Sequence, residues 1–214
     1  MFVNYIKYHG HSCFEIGGSL VFIFDPHDGK SLGLPVPDAK ADFIFVSHEH
    51  FDHNAVHVVR GLPKVIRDDC SGSFKNMKYQ CIKEYHDESH GAERGEIRVF
   101  KVELDGISFA HLGDLGHYPE KETIDFLRGT DFIFIPVGSV YTIDSKRAYE
   151  IIKEVSPRIT VPMHFYTKGL KIKLEPVENF LQYFEKDRIK KVGREKRFTK
   201  EDLPKEKEVW VFSL

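Results

Sequence analysis

"VSHEHFDHNA" spans residues 46–55 and places His48, His50, Asp52 and His53 within one short stretch. The apolar run "DFIFV" (42–46) leads straight into it. A continuous apolar run predicts a strand covered on both faces, as in sheets with a layer packed on either side. Metal-suited side chains therefore gather where a buried strand ends. The pattern recurs: "LVFIF" (20–24) ends at Asp25, "ISFAHLG" (107–113) at Asp114, and "RITVPMHF" (158–165) carries His164. Layered α/β folds build ligand sites beyond the carboxyl ends of their strands, so these ends can meet in one place. One ion is poorly served by four donors from so short a stretch, but two ions can share it. Imidazole suits zinc, iron and manganese, and a carboxylate can bridge two ions.

Outward from this stretch, Gly17-Gly18 and Asp105-Gly106 give hairpin signals. The first joins "SCFEI" to "LVFIF"; the second joins "EIRVFKVEL" (96–104) to "ISFAHL" (107–112). "DFIFIPVG" (131–138) and the closing "EVWVFSL" read as further strands. Helices are predicted from Asn54 to Arg60 and over 119–129, the latter with Pro119 in its first turn. Asp144 can cap a helix carrying Ala148, Ile151, Ile152 and Val155 on one face, which Pro157 stops. Val177, Phe180, Leu181 and Phe184 repeat helical spacing after Pro176. Periodicity alone supports α/β or α+β, with two mixed sheets and helices outside.

The 214 residues, 41% hydrophobic and 30% charged, suit a globular chain able to bury its own core. Lys+Arg total 31 against 33 Asp+Glu, so charge gives no reason to expect nucleic acid or a membrane surface as partner. The basic stretch 186–200 reads as a solvated face. "MFVNYIKYHGHSC" lacks the apolar segment of a signal peptide, and no apolar run approaches the roughly 20 residues of a membrane span. Cys13, Cys70 and Cys81 form no CxxC pair, so three reduced thiols and a cytoplasmic location are expected.

"HEHFDH" resembles the H-x-H-x-D-H signature of the metallo-β-lactamase-fold hydrolases, and the resemblance extends along most of the chain. The further landmarks stand in order: Asp25 in "FDPHDG", His86 in "YHDESHG", Asp114 in "HLGDLGH" and His164 in "PMHF". The compact size and "GHSCF" look like the small lactonase-like branch, which includes the ascorbate-6-phosphate-lactonase-like hydrolases. The resemblance implies an α/β four-layer αβ/βα sandwich of two mixed β-sheets with helices on the outer faces, residues 1–214 forming one domain. It implies that His48, His50 and His86 hold one ion and Asp52, His53 and His164 a second, with Asp114 bridging. The ions would be Zn2+, with Mn2+ or Fe2+ as alternatives. Asp25 and His11 would orient the ligands, and Asp52 or Asp114 would handle the proton.

The activity so implied is attack by a metal-bound hydroxide on an ester, lactone or phosphodiester of a small molecule. A di-iron redox protein and a metal-binding protein without turnover are the alternatives. His50 counts against the former, because relatives of that kind carry Glu at its position. His90 shares a segment with His86 and is the rival for the middle histidine. His117 and Tyr141 are candidate substrate contacts. His9, His27, His57 and His111 read as structural histidines; Arg94 and Lys168 are candidate anion contacts, with a solvated charge as the default reading of both.

Overall fold

The computed structural model describes residues 3–214. In chain order its strands are β1 (Asn4–Gly10), β2 (Cys13–Gly17), β3 (Val21–Phe24), β4 (Phe43–Phe45), β5 (Lys64–Ile66), β6 (Ser71–Phe74), β7 (Met77–Tyr85), β8 (Glu96–Leu104) and β9 (Ile107–His111). Then follow α1 (Lys121–Leu127), β10 (Phe132–Pro136), α2 (Ser145–Val155), β11 (Ile159–Met163), α3 (Glu178–Leu181), β12 (Ile189–Gly193), β13 (Glu195–Phe198) and β14 (Glu208–Phe212). They form a six-stranded sheet, β13-β1-β2-β3-β4-β5, and an eight-stranded sheet, β12-β14-β11-β10-β9-β8-β7-β6. Both sheets are mixed, as the α/β sandwich requires. No helix among the described residues is long and apolar enough to cross a membrane.

Three strands share the triplet Phe-Ile-Phe, at 22–24, 43–45 and 132–134. Side chains alternate across a strand. All six phenylalanines consequently enter the layer between the sheets, beside Phe14, Phe100, Phe109 and Trp210. The central isoleucines point outward instead. Ile133 meets the helices with Ala148, Ile151 and Phe180. Ile23 and Ile44 meet the irregular chain over the first sheet, with Ala39 and Val59. Both faces of these strands are covered, which is why the sequence reads as continuous apolar runs.

Two helical expectations are corrected. Asn54 to Arg60 forms only a 3-10 turn at Val56–Val58. Its backbone is claimed by the preceding loop, since Ala55 N donates to Pro26 O and Arg60 N to Ala39 O. Pro119 precedes α1, whose N-cap is Glu120. The helix after Asp144 forms as expected, with the Asp144 carboxylate accepting from Arg147 N. After Pro176, α3 is a single turn.

The expectation of three free thiols is also overturned. Ser71 pairs with Gln80 in the β6–β7 hairpin, so the next residues outward, Cys70 and Cys81, face each other. Their Cα atoms stand 4.5 Å apart and the structure joins them as a disulfide. Cys13 is free and buried.

Strand direction gathers the site. β3 runs parallel to β4 in one sheet, and β9, β10 and β11 run parallel to one another in the other. β7 is antiparallel to β8, and β8 to β9, so β7 ends at the same edge as β9. β1 likewise shares the direction of β3. His11, Asp25, His48, His86, Asp114 and His164 all follow such strand ends.

Candidate metal centre

The histidine loop is held from beneath by Asp25. One carboxylate oxygen accepts from Ser47 N at 2.7 Å; the other accepts from Ser47 Oγ at 2.6 Å and from His53 Nδ1 at 2.8 Å. With Nδ1 turned to Asp25, Nε2 is the His53 nitrogen that faces the site. That atom is buried and has no hydrogen-bond partner. A carboxylate behind a histidine in this way fixes the ring and its tautomer, as it does for metal-bound imidazoles.

Three groups of donors result, each with its ligand atoms within 4.8 Å of one another; one of them, Asp25, His48 and His53, surrounds the anchor of the loop, and the other two make up the site. His48, His50 and His86 form the first; His11, Asp52, His53 and His164 form the second. In the first, His48 Nε2 lies 3.1 Å from His50 Nδ1. Between the groups sits Asp114. Its Oδ2 is 3.2 Å from His53 Nε2, 3.3 Å from His164 Nε2, 3.4 Å from His86 Nε2 and 4.0 Å from His48 Nε2. Its Oδ1 is buried without a partner. Asp114 reaches this place because the chain around it lies close to its neighbours. A Cβ on Gly113, whose φ is +52°, would come within 2.8 Å of Ser47 Cβ, and one on Gly116 within 2.2 Å of the His86 backbone.

The second group includes a donor that sequence reading assigned only an orienting role. His11 Nε2 is 3.0 Å from Asp52 Oδ2, and its ring lies 4.3 Å from that of His164. His11, Asp25 and His164 all have positive φ, at 57°, 42° and 51°. Non-glycine residues rarely hold that conformation, at a cost of order 1–3 kcal/mol each, and such strain collects at functional sites.

Electrostatics show what the cluster accepts. Burial would strip His53 of its proton, yet Asp114, Asp52 and Asp25 together hold its pKa well above the usual value. Burial would likewise raise Asp114, but His164 and then His53 hold it well below the carboxylate range. His48 is pushed down to about 3 by burial and then by the charge on His53. Buried carboxylates thus require a positive charge in the middle of the cluster. A proton on His53 meets that need without metal, and a divalent ion held by these residues would meet it too; His53 Nε2 and Asp114 Oδ1 are buried without hydrogen-bond partners. The donor set of imidazoles and carboxylates fits borderline-hard divalent ions.

His86 is buried inside the cluster, while His90 is exposed, with its ring edge-on to Tyr85 at 5.3 Å. Tyr141 lines a cleft of about 650 Å³ above the donors, with Phe51, Arg94, Lys171, Ile172 and Lys173. His117 does not line that cleft. Its Nε2 meets Glu84 at 2.6 Å and its Nδ1 the Tyr118 carbonyl at 3.0 Å, so both ring nitrogens are engaged elsewhere. Sequence reading named Arg94 as a candidate anion contact but not Lys171 or Lys173, for which the alternation in "KIK" (171–173) was the available signal.

His27 and His111 are buried outside the donor groups and share one wiring. Each Nδ1 accepts from the backbone N–H two residues on, Gly29 or Gly113. Each Nε2–H then donates to a carbonyl, of His9 or Ser12. Protonation would break the accepting bond. Burial, the largest cause, pushes His27 down to about 4. Between its ordinary pH range and that value the unfolded chain binds a proton that the folded chain refuses, so stability falls as pH falls through this window. Ring NMR shifts of His27 should stay those of the neutral form down to roughly pH 5. Titration near the ordinary value would show that the ring is not wired as described.

The Beta-lactamase superfamily domain profile matches residues 5–164. A protein from Thermotoga maritima, assigned as a Zn-dependent hydrolase of the metallo-beta-lactamase superfamily, has a similar structure with TM-score 0.81 and 32% identity over 98% of both chains. A UPF0173 metal-dependent hydrolase of Staphylothermus marinus is 29% identical, covering 81% of this chain and 88% of its own. Another, from Thermoplasma acidophilum, is 26% identical over 80% and 87%. The chain therefore belongs to the metallo-β-lactamase superfamily, among its metal-dependent hydrolases.

Proposed function

We propose that the protein holds two divalent ions, Zn2+ in the first instance with Mn2+ or Fe2+ able to substitute, and hydrolyses an ester, lactone or phosphodiester of a small molecule. The observation that carries this reading is Asp114 Oδ2, which faces four imidazole nitrogens drawn from both donor groups. A carboxylate so placed can belong to two ions at once. His48, His50 and His86 would hold one; Asp52, His53 and His164 would hold the other. When bound, such ions acidify a coordinated water and polarise the substrate oxygen under attack.

The chain's own groups do the rest. Asp25 fixes the tautomer of His53. His11 holds Asp52 in place through its Nε2, and burial followed by the His164 charge pushes its pKa down to about 4, so it acts as a neutral donor. Asp52 and Asp114 are the carboxylates placed to take up the proton released by the attacking water. His50 is only half-buried, which opens the floor of the cleft to a substrate. A volume of about 650 Å³ suits a small molecule rather than a polymer.

Elemental analysis of the purified protein and a panel of aryl esters, lactones and bis-p-nitrophenyl phosphate test this reading. Up to two ions per chain and hydrolysis of at least one class are expected. His86→Ala should lose an ion and activity, whereas His90→Ala should keep both. Loss confined to the His90 variant would overturn the ligand assignment. A reconstituted protein inert on the whole panel would overturn the hydrolase.

A further inference from the structure

Above the donor groups the cleft changes character. Its exposed part carries three cations, Arg94, Lys171 and Lys173, and one apolar surface, Phe51, with Ile172 half-buried beside them. Of the carboxylates that line it, Asp52 belongs to a donor group below and Asp114 sits between the groups. The neighbouring arginines are already neutralised. Arg67 pairs with Glu49, Arg98 with Asp68 and Glu96, and Arg147 with Glu88. Arg94 and Lys173 form no ion pair among the described residues, and Lys171 gives its ammonium only to the Lys30 carbonyl. The cleft thus pairs a cationic rim with a floor built for hydrolysis.

Arg94 is also held in place. Its guanidinium lies over the Tyr141 ring, 4.2 Å from the centroid, so one face is stacked while its edge remains free. Asp87 fixes the backbone from which it projects. That carboxylate accepts from Ser89 N at 2.8 Å, Gly91 N at 2.9 Å, Glu93 N at 3.1 Å and Arg94 N at 2.7 Å. Tyr141 itself has φ of +69°, a conformation its loop has to impose. A planar guanidinium stacked on an aromatic ring and free at its edge is the geometry that binds carboxylate or phosphate with two parallel hydrogen bonds. Ordering the loop beforehand reduces the entropy lost on binding.

We propose that Arg94, stacked on Tyr141 and assisted by Lys173, is an oxyanion-recognition subsite. The substrate would then carry a carboxylate or phosphate group away from the bond that is cleaved. The substrate class rests on the hydrolase reading above; the anion subsite does not, and the test separates them.

The first arm is binding. Phenylphosphonate and benzoate are titrated calorimetrically into chelator-treated protein, where no ion competes for them. Wild-type protein should bind at least one, and Arg94→Met should weaken it about tenfold or more, with Arg94→Lys intermediate because it keeps the charge and loses the fork. Arg60→Met, an exposed arginine outside the cleft, should match wild type. Equal binding by wild type and Arg94→Met, or no binding by either, overturns the subsite.

The second arm is turnover with reconstituted protein. Two substrate pairs are compared: p-nitrophenyl acetate with mono-p-nitrophenyl succinate, and gluconolactone with its 6-phosphate. The ratio of kcat/KM for the anionic to the neutral member should exceed about ten in at least one pair. It should fall towards one in Arg94→Met, mainly through KM. The pair that responds identifies the anion. A ratio unchanged by Arg94→Met overturns the substrate class. Failure to hydrolyse any member overturns the hydrolase reading, while the calorimetric arm still decides the subsite.

Discussion

Asp114→Asn is expected to lower turnover of whichever generic ester, lactone or phosphodiester the protein accepts by about 10³-fold, on the order of 4 kcal/mol of transition-state stabilisation. The substitution keeps the shape and removes the charge. Oδ2 lies within 4.0 Å of imidazole nitrogens from both donor groups. An anion between two cations offsets their repulsion, so both ions should bind more weakly, and not merely one. The fold should survive, because neither oxygen of Asp114 ties down a backbone group and the Phe-lined core lies between the sheets. Metal content, circular dichroism and hydrolysis are measured on one preparation. Near-normal metal and turnover would remove the bridge from the mechanism and favour a single-ion or structural site.

Asp25→Ala should instead strike stability. Its carboxylate has no solvent exposure and accepts from Ser47 N, Ser47 Oγ and His53 Nδ1. Removing it strands these donors where no water replaces it. Breaking one half of a buried pair costs about 3–5 kcal/mol. Against a typical total of about 5–15 kcal/mol that is a large fraction. Measured with chelator present, the melting temperature should drop on the order of 10 °C. Metal affinity should fall a further 10–100-fold, roughly, because His53 is no longer oriented. Asp25→Asn, which can still accept one bond, should lie between. A melting temperature within a degree or two of wild type would mean that the histidine loop is held by something else.

Much of the site was legible because the sandwich writes it into the chain twice. Runs such as "LVFIF" and "FIFV" are apolar throughout only if both faces are covered, and the ends of such strands then mark one edge. That pointed to Asp25, His48, Asp114 and His164 from the sequence alone. The strands that went unread are the ones that break the rule. β6 is "SGSF" at a sheet edge, and β7, "MKYQCIKEY", buries only some of its side chains. β12 and β13 lie inside the basic stretch 186–200, which sequence reading took for a solvated face. It is solvated: both strands are sheet edges, and edge strands rich in lysine resist pairing with other chains. Their charge hid their strand character. The rim of the cleft was only half readable, for another reason. Arg94 stood out as a candidate anion contact, but it and Lys173 come near the donors through loop closure, which local sequence does not show.

The donors divide by sheet. Asp25, His48, His50, Asp52 and His53 follow strands of the six-stranded sheet; His86, Asp114 and His164 follow strands of the eight-stranded one. The complete set therefore cannot exist before the two sheets have docked face to face. An ion of full affinity would then be acquired late in folding, as a reward for correct assembly rather than a template for it. A chain with either half unformed keeps at most a fragment of the ligands, and so releases metal instead of hoarding it. Loss of bound ion then serves as an early report that the two halves have begun to part.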